Sequence, residues 1–102
     1  MKKKVSLTLQ SQTNNSVHKQ MASPHILIAD DHAVIRTGLK YLLARHFTDV
    51  ITGEADACST LTSCLEKESY THLILDMQLG DCNSLELIPN ILAAHPDLMV
   101  MV

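Results

Sequence analysis

Leu73-Ile74-Leu75-Asp76-Met77-Gln78-Leu79-Gly80-Asp81 is the stretch whose reading decides the fold. Three consecutive apolar residues run into an acid, and a Gly/Asp/Cys/Asn segment follows at once. An apolar run without alternation suits a strand covered on both faces, as in a parallel sheet flanked by helices. Such a strand delivers its last residue to the carboxyl edge of the sheet, where the crevices of open α/β folds lie. Asp76 is then an acid presented where chemistry is usually done.

Working outward, His25-Ile26-Leu27-Ile28-Ala29 is a second short apolar run, ended by Asp30-Asp31-His32. Residues 33–46 carry a helical period, with Val34/Ile35, Gly38/Leu39 and Leu42/Leu43 at spacings of three and four. Asp31 stands where an N-cap is expected, and Arg36, Lys40 and Arg45 take the wetter face. Val50–Glu54 reads as a weaker strand at an edge. Residues 57–68 read as a helix with Leu61 and Leu65 inward and Cys58 or Cys64 at its buried border. Ser84–Ala94 reads as another helix, with Leu85, Ile88 and Leu92 inward. Pro89 requires that helix to start nearer residue 86 or to kink. Leu98–Val102 begins a fourth strand. The order β-α-β-α-β-α-β predicts an α/β fold, a doubly wound parallel sheet of about four strands and three helices.

The composition agrees. Of 102 residues, 46% are hydrophobic and only 3% aromatic, so the core is aliphatic. Residues 1–24 carry four lysines and no acid, whereas residues 25–102 set four bases against eleven acids, a net −7. An acidic body argues against this chain gripping DNA, where affinity rests on cationic contacts with phosphate. Residues 1–24 are polar and read as a disordered leader, with a short strand over Val5, Leu7 and Leu9 as the alternative. Met21 is an alternative start. Cys58, Cys64 and Cys82 match neither zinc spacing nor C-x-x-C, so ordinary reduced thiols are expected. No stretch approaches the ~20 apolar residues of a membrane span, and the Met-Lys-Lys-Lys opening lacks the apolar segment of a signal peptide. A cytoplasmic chain without membrane contact is expected.

Asp30 and Asp31 close the first strand and Asp76 the third. In a doubly wound sheet these strands are commonly adjacent, which gathers three carboxylates at one rim. Two unit charges about 4 Å apart repel by roughly 4 kcal/mol at an effective dielectric near 20. A hard divalent cation relieves that repulsion. Mg²⁺ suits it, taking oxygen ligands and keeping several waters. A carboxylate beside bound Mg²⁺ can attack a phosphoryl group and form an aspartyl phosphate. Each acid alone is more simply a cap or a loop start; the three together favour the chemical reading.

Ile26-Leu27-Ile28-Ala29-Asp30-Asp31-His32, with Arg36-Thr37-Gly38-Leu39 and Leu42-Leu43, resembles the start of a response-regulator receiver domain of bacterial two-component systems. Asp-Asp-His followed by Arg-x-Gly-Leu is typical of the LuxR/NarL/FixJ-type subfamily. Glu54-Ala55, Leu73–Leu79 and Leu85-Glu86-Leu87-Ile88 fit the same pattern in order. The resemblance covers residues 25–102 and implies a flavodoxin-like receiver fold, incomplete at its C-terminal side. It implies that Asp76 accepts a phosphoryl group from a sensor histidine kinase, without turnover as an enzyme. It further implies that Asp31 ligates Mg²⁺ directly, Asp30 mainly through water, and Gln78 through its backbone carbonyl. A receiver–receiver dimer is a further partner it suggests; DNA binding and transcriptional control would belong to a separate C-terminal domain.

Three departures stand out. The family usually has Pro at the place of Gly80 and Gly at the place of Ser84, which predicts altered loop geometry. The family also continues through a hydroxyl residue, a helix, a fifth strand ending in Lys and a last helix. The chain is therefore expected to be a fragment, marginally stable, poor at signalling, and prone to aggregate along Leu98–Val102. Two rivals are a phosphate-independent interaction module and a haloacid-dehalogenase-like phosphatase. The latter wants a second acid where Gln78 stands. His32 sits beside the acidic pair, within reach of an incoming phosphoryl donor, but as a helix-start residue it needs no such role, and Met77, Met99 and Met101 are expected to fill the core.

Overall fold

The structure, a computed structural model, describes residues 23–80 and 82–102. The predicted leader, including Val5, Leu7 and Leu9, lies outside them apart from Ser23 and Pro24. The elements are β1 (His25–Ala29), α1 (Ala33–His46), β2 (Ile51–Ala55), α2 (Cys58–Lys67) and β3 (His72–Leu75). Two short strands follow, β4 (Gln78–Leu79) and β5 (Cys82–Asn83). A 3-10 turn (Ser84–Leu87), α3 (Ile88–Ala94) and β6 (Met99–Met101) complete the described fold. The main sheet is parallel, in the order β2-β1-β3-β6. The chain steps from β1 out to β2 and then returns to the other side of β1, so the order reverses between β1 and β3, where ligand crevices of such sheets form. The expected parallel sheet of the doubly wound type is present, with β2 at an edge of it as anticipated.

The pairing register sorts the strand residues into two faces. Leu27 lies opposite Leu73, Ala29 opposite Leu75, and Leu73 opposite Val100. All are buried in one cluster with Leu61 and Leu65 of α2, Leu79, Ile91 of α3 and Leu98. This is the core, and it is aliphatic. The other face carries Ile26, Ile28, Ile74, Met99 and Met101, of which only the β1 pair is fully buried. Helix α1 belongs to this side through its contacts with Glu54, yet none of its residues is buried. Val34 is 80% exposed, and Tyr41 and Leu42 are also open. The period of three and four was read correctly as a helix, but its apolar stripe meets little.

Several expectations are corrected locally. Leu85 is exposed rather than inward, and Ile91 takes its place, because residues 84–87 form a 3-10 turn that shifts the phase. Pro89 lies in the first turn of α3, where its missing N–H has no intrahelical partner to lose. Met77 is 54% exposed and fills no core.

Candidate functional site

Ala29 and Leu75 are paired across β1 and β3, so Asp30 and Asp76 leave the sheet from the same edge. The Asp76 N–H donates to the Ala29 carbonyl at 2.9 Å, and the Asp30 N–H to the Ala55 carbonyl at 3.0 Å. Both acids are thus held by backbone bonds that carry the ladder one step past the strands. Ligand atoms of Asp30, Asp31, His32 and Asp76 all lie within 4.8 Å of one another. The three carboxylates placed together from sequence are together.

His32 joins them, which the sequence reading did not ask of it. Its Nδ1 is 2.7 Å from an Asp30 carboxylate oxygen and 3.1 Å from one of Asp31. The hydrogen bond to Asp30, then the charges of Asp31 and Asp30, hold its imidazole pKa above the ordinary value. The ring itself is exposed. His32 is also the N-cap of α1, and it makes no side-chain cap. Asp31, expected to cap the helix, does not. Instead the Asp30 carboxylate accepts the His32 N–H at 2.9 Å, a local turn of the kind short acids favour. Asp31 is left to face the cluster.

Arg36 was assigned to the wet face, but its side chain is only 17% exposed. One guanidinium nitrogen donates to the Asp30 carbonyl at 2.8 Å, and Nε donates to Glu54 at 2.7 Å. Lys40 Nζ bonds the other Glu54 oxygen, also at 2.7 Å. The hydrogen bonds from Lys40 and then Arg36 hold the Glu54 carboxyl below its usual pKa. The available sequence signal was Arg-x-Gly-Leu together with the acid near the end of β2.

The segment after Asp76 folds back as a small hairpin, with Gln78 opposite Asn83 and Leu79 opposite Cys82. Gly80 turns it at φ +66°, a conformation closed to proline, whose φ is fixed near −65°. The altered loop geometry expected from the departure at this position is therefore real. Gln78 lies in β4 with its side-chain amide donating to the Gly80 carbonyl at 3.1 Å. Ser84 is fully buried, its N–H bonds the Met77 carbonyl at 3.0 Å, and its hydroxyl donates to the carbonyl of Asp76 itself. A glycine there would lack this tie to the acid.

Cys58 and Cys82 form a disulfide, against the expectation of reduced thiols; Cys64 is free. Spacing rules look for neighbours, and these two are 24 residues apart. They meet because Cys58 follows β2 and Cys82 follows β3, and both connections rise from the carboxyl edge on either side of β1.

The donor set fits a hard divalent cation. Three carboxylates converge, and Asp31 is exposed while Asp30 and Asp76 are half-buried, leaving room for water to complete an oxygen shell. Comparison with known proteins agrees with this chemistry. The model of the response regulator receiver domain matches residues 26–102. The chain is 39% identical over 83 residues to the DNA-binding transcriptional regulator NtrC of Rhizobium meliloti, covering 80% of this chain and 16% of that protein. It is 42% identical over 67 residues to the sensory transduction protein LytT of Bacillus anthracis, 66% of this chain and 27% of that one. It is 30% identical over 77 residues to the DNA-binding transcriptional activator DevR/DosR of Mycobacterium tuberculosis, 76% of this chain and 36% of that one. The chain thus spans well under half the length of these relatives, and with NtrC among them they do not single out the LuxR/NarL/FixJ-type subfamily. No solved structure matches the chain significantly. With the receiver model matched over three quarters of its length and the acids of β1 and β3 meeting at one rim, the chain belongs to the response regulator receiver domains.

Proposed function

We propose that this chain is the phosphoacceptor of a two-component pathway, taking a phosphoryl group onto Asp76 from the phosphohistidine of a sensor kinase. A carboxylate oxygen of Asp76 attacks phosphorus, the P–N bond breaks, and the imidazole nitrogen keeps the electron pair and takes up a proton. Asp76 is consumed stoichiometrically; nothing turns over. Asp31, Asp30 and Asp76, with the backbone carbonyl of Gln78, would hold Mg²⁺. Bound there, Mg²⁺ supplies positive charge against the phosphoryl oxygens and offsets the repulsion among the acids. The Ala29 carbonyl and the Ser84 hydroxyl hold the Asp76 backbone on either side of its Cα, which keeps the nucleophile in place. The observation that carries this reading is the convergence of three carboxylates from two adjacent strands at one edge.

In a longer protein the acceptor would serve a DNA-binding output, as the names of two of the relatives suggest, and a cytoplasmic setting goes with that reading. The kinase is the expected partner and a second receiver a further one. The test is incubation of the chain with Mg²⁺ and acetyl phosphate, followed by intact-mass measurement. One added phosphoryl group, absent without Mg²⁺ and absent in Asp76→Asn, is the expected result. No added group under any condition would leave only a phosphate-independent interaction module. Repeated turnover of a phosphate ester would instead point to a phosphatase.

A further inference from the structure

The peptide that links Asp30 to Asp31 carries both acids of β1, and any rotation about it swings both carboxylates. Its carbonyl accepts from the Arg36 guanidinium at 2.8 Å. The Asp30 N–H, one peptide earlier, is held by Ala55. Arg36 is in turn held through Nε by Glu54, whose second oxygen is occupied by Lys40. Packing does not account for this arrangement, since α1 buries no residue. We infer that Arg36 is a positioning residue for the acid pair, its guanidinium fork fixing the Asp30–Asp31 peptide so that both carboxylates face one cation. This rests on reading Asp30 and Asp31 as cation ligands.

The fork is what the job needs. Arginine presents several donors in a rigid plane and can bond Glu54 and a carbonyl at once. Lysine offers one compact charge and cannot span both with the same geometry. Charge and position also pull in opposite directions. As a mere positive charge beside the acids, Arg36 would compete with a divalent cation, and removing it would tighten binding. As a positioning group, its loss loosens the acids and weakens binding.

The experiment uses the whole chain as wild type, Arg36→Lys, Arg36→Ala and Leu39→Ala. The last trims a half-buried apolar side chain of α1 without touching the fork. Mg²⁺ affinity is measured by calorimetry at fixed pH and ionic strength. Amide hydrogen exchange at Asp30 and His32 is measured in metal-free protein. Arg36→Lys is expected to weaken Mg²⁺ binding about three- to tenfold, the effect of one or two lost hydrogen bonds, and to speed exchange at both amides. Arg36→Ala is expected to weaken it as well, despite the lost positive charge. Leu39→Ala should leave affinity within about twofold. Tighter binding in Arg36→Ala, unchanged affinity and exchange in Arg36→Lys, or an equal loss in Leu39→Ala would each overturn the inference. A chain that binds Mg²⁺ but takes no phosphoryl group fails the proposed function, and the affinity ranking still decides the role of Arg36. Should wild type bind no Mg²⁺, faster exchange at Asp30 and His32 in Arg36→Lys alone supports the fork, and unchanged exchange refutes it.

Discussion

Cleaving the Cys58–Cys82 bond with a dithiol releases a cross-link between residues 24 apart. Loop closure of that length restricts the unfolded chain by about 3.5 kcal/mol at 25 °C in the chain-entropy treatment. Domains are stable by roughly 0.05–0.15 kcal/mol per residue, so the bond carries a large share of the total here. Residual structure in the unfolded chain reduces the figure, and a loss of about 2–4 kcal/mol is expected. At about 4–8 °C per kcal/mol for a domain of this size, the melting temperature should fall by at least about 8 °C. The assay is urea and thermal unfolding of the whole chain with and without dithiol. Cys58→Ala/Cys82→Ala should match the reduced protein, and in Cys64→Ala the oxidised and reduced forms should still differ by the same margin. Coincident melting curves for oxidised and reduced chains would refute the reasoning. Alkylation of all three cysteines without prior reduction would remove its premise.

Burial pushes the His72 imidazole below its ordinary pKa, and its Nε2 has no hydrogen-bond partner among the described residues. Below about pH 6.5 the unfolded chain therefore binds a proton that the folded chain refuses. Stability present above pH 6.5 should decline as pH falls toward the folded pKa, and urea midpoints of His72→Leu should lack that decline. Glu54, with its pKa lowered, adds a second loss at more acid pH, beginning near 4.5 and absent in Glu54→Gln. A Cβ at Gly53 would collide with the Tyr70 hydroxyl, while the Tyr70 ring also packs, tilted, against His25 with centroids 4.2 Å apart. Gly53→Val should cost about 1–3 kcal/mol in urea unfolding, with Tyr70→Ala relieving part of it. Ser84→Ala removes the hydroxyl that bonds the Asp76 carbonyl and should cost about 1–2 kcal/mol. It should also shorten the lifetime of phosphate on Asp76, read by intact mass over time.

The sheet was legible because β1 and β3 are unalternated apolar runs closed by acids and β6 lies in a third apolar run, whereas β2, with Thr52, Gly53 and Glu54, gives a weaker signal. Leu61 and Leu65 were placed correctly because α2 has one buried stripe and a matching core. The acids could be assembled from sequence because strand adjacency follows from the alternation of elements. What could not be read was set by contacts between segments distant in the chain. The disulfide depends on two connections rising beside β1. The Ser84 tie depends on a hairpin whose two strands have two residues each, too short for any periodic signal. Leu85 and Ile91 exchanged roles because a 3-10 turn advances the side chains faster than an α-helix. Arg36 looked solvated because its partners, a carbonyl and the edge-strand Glu54, are polar and leave no apolar trace.

Helix α1 has no buried residue and an open Val34, so few apolar contacts hold it to the sheet. Regions with few apolar contacts open on their own, well below the free energy of global unfolding. When α1 lifts away it carries Arg36 with it and leaves the β1 acids unanchored. A ligand that binds only the closed arrangement must then hold the helix shut, by about 2.7 kcal/mol at a hundredfold excess over its dissociation constant. The breathing of α1 thus becomes a gauge of occupancy at the rim, read on a segment that touches no ligand through its own apolar side.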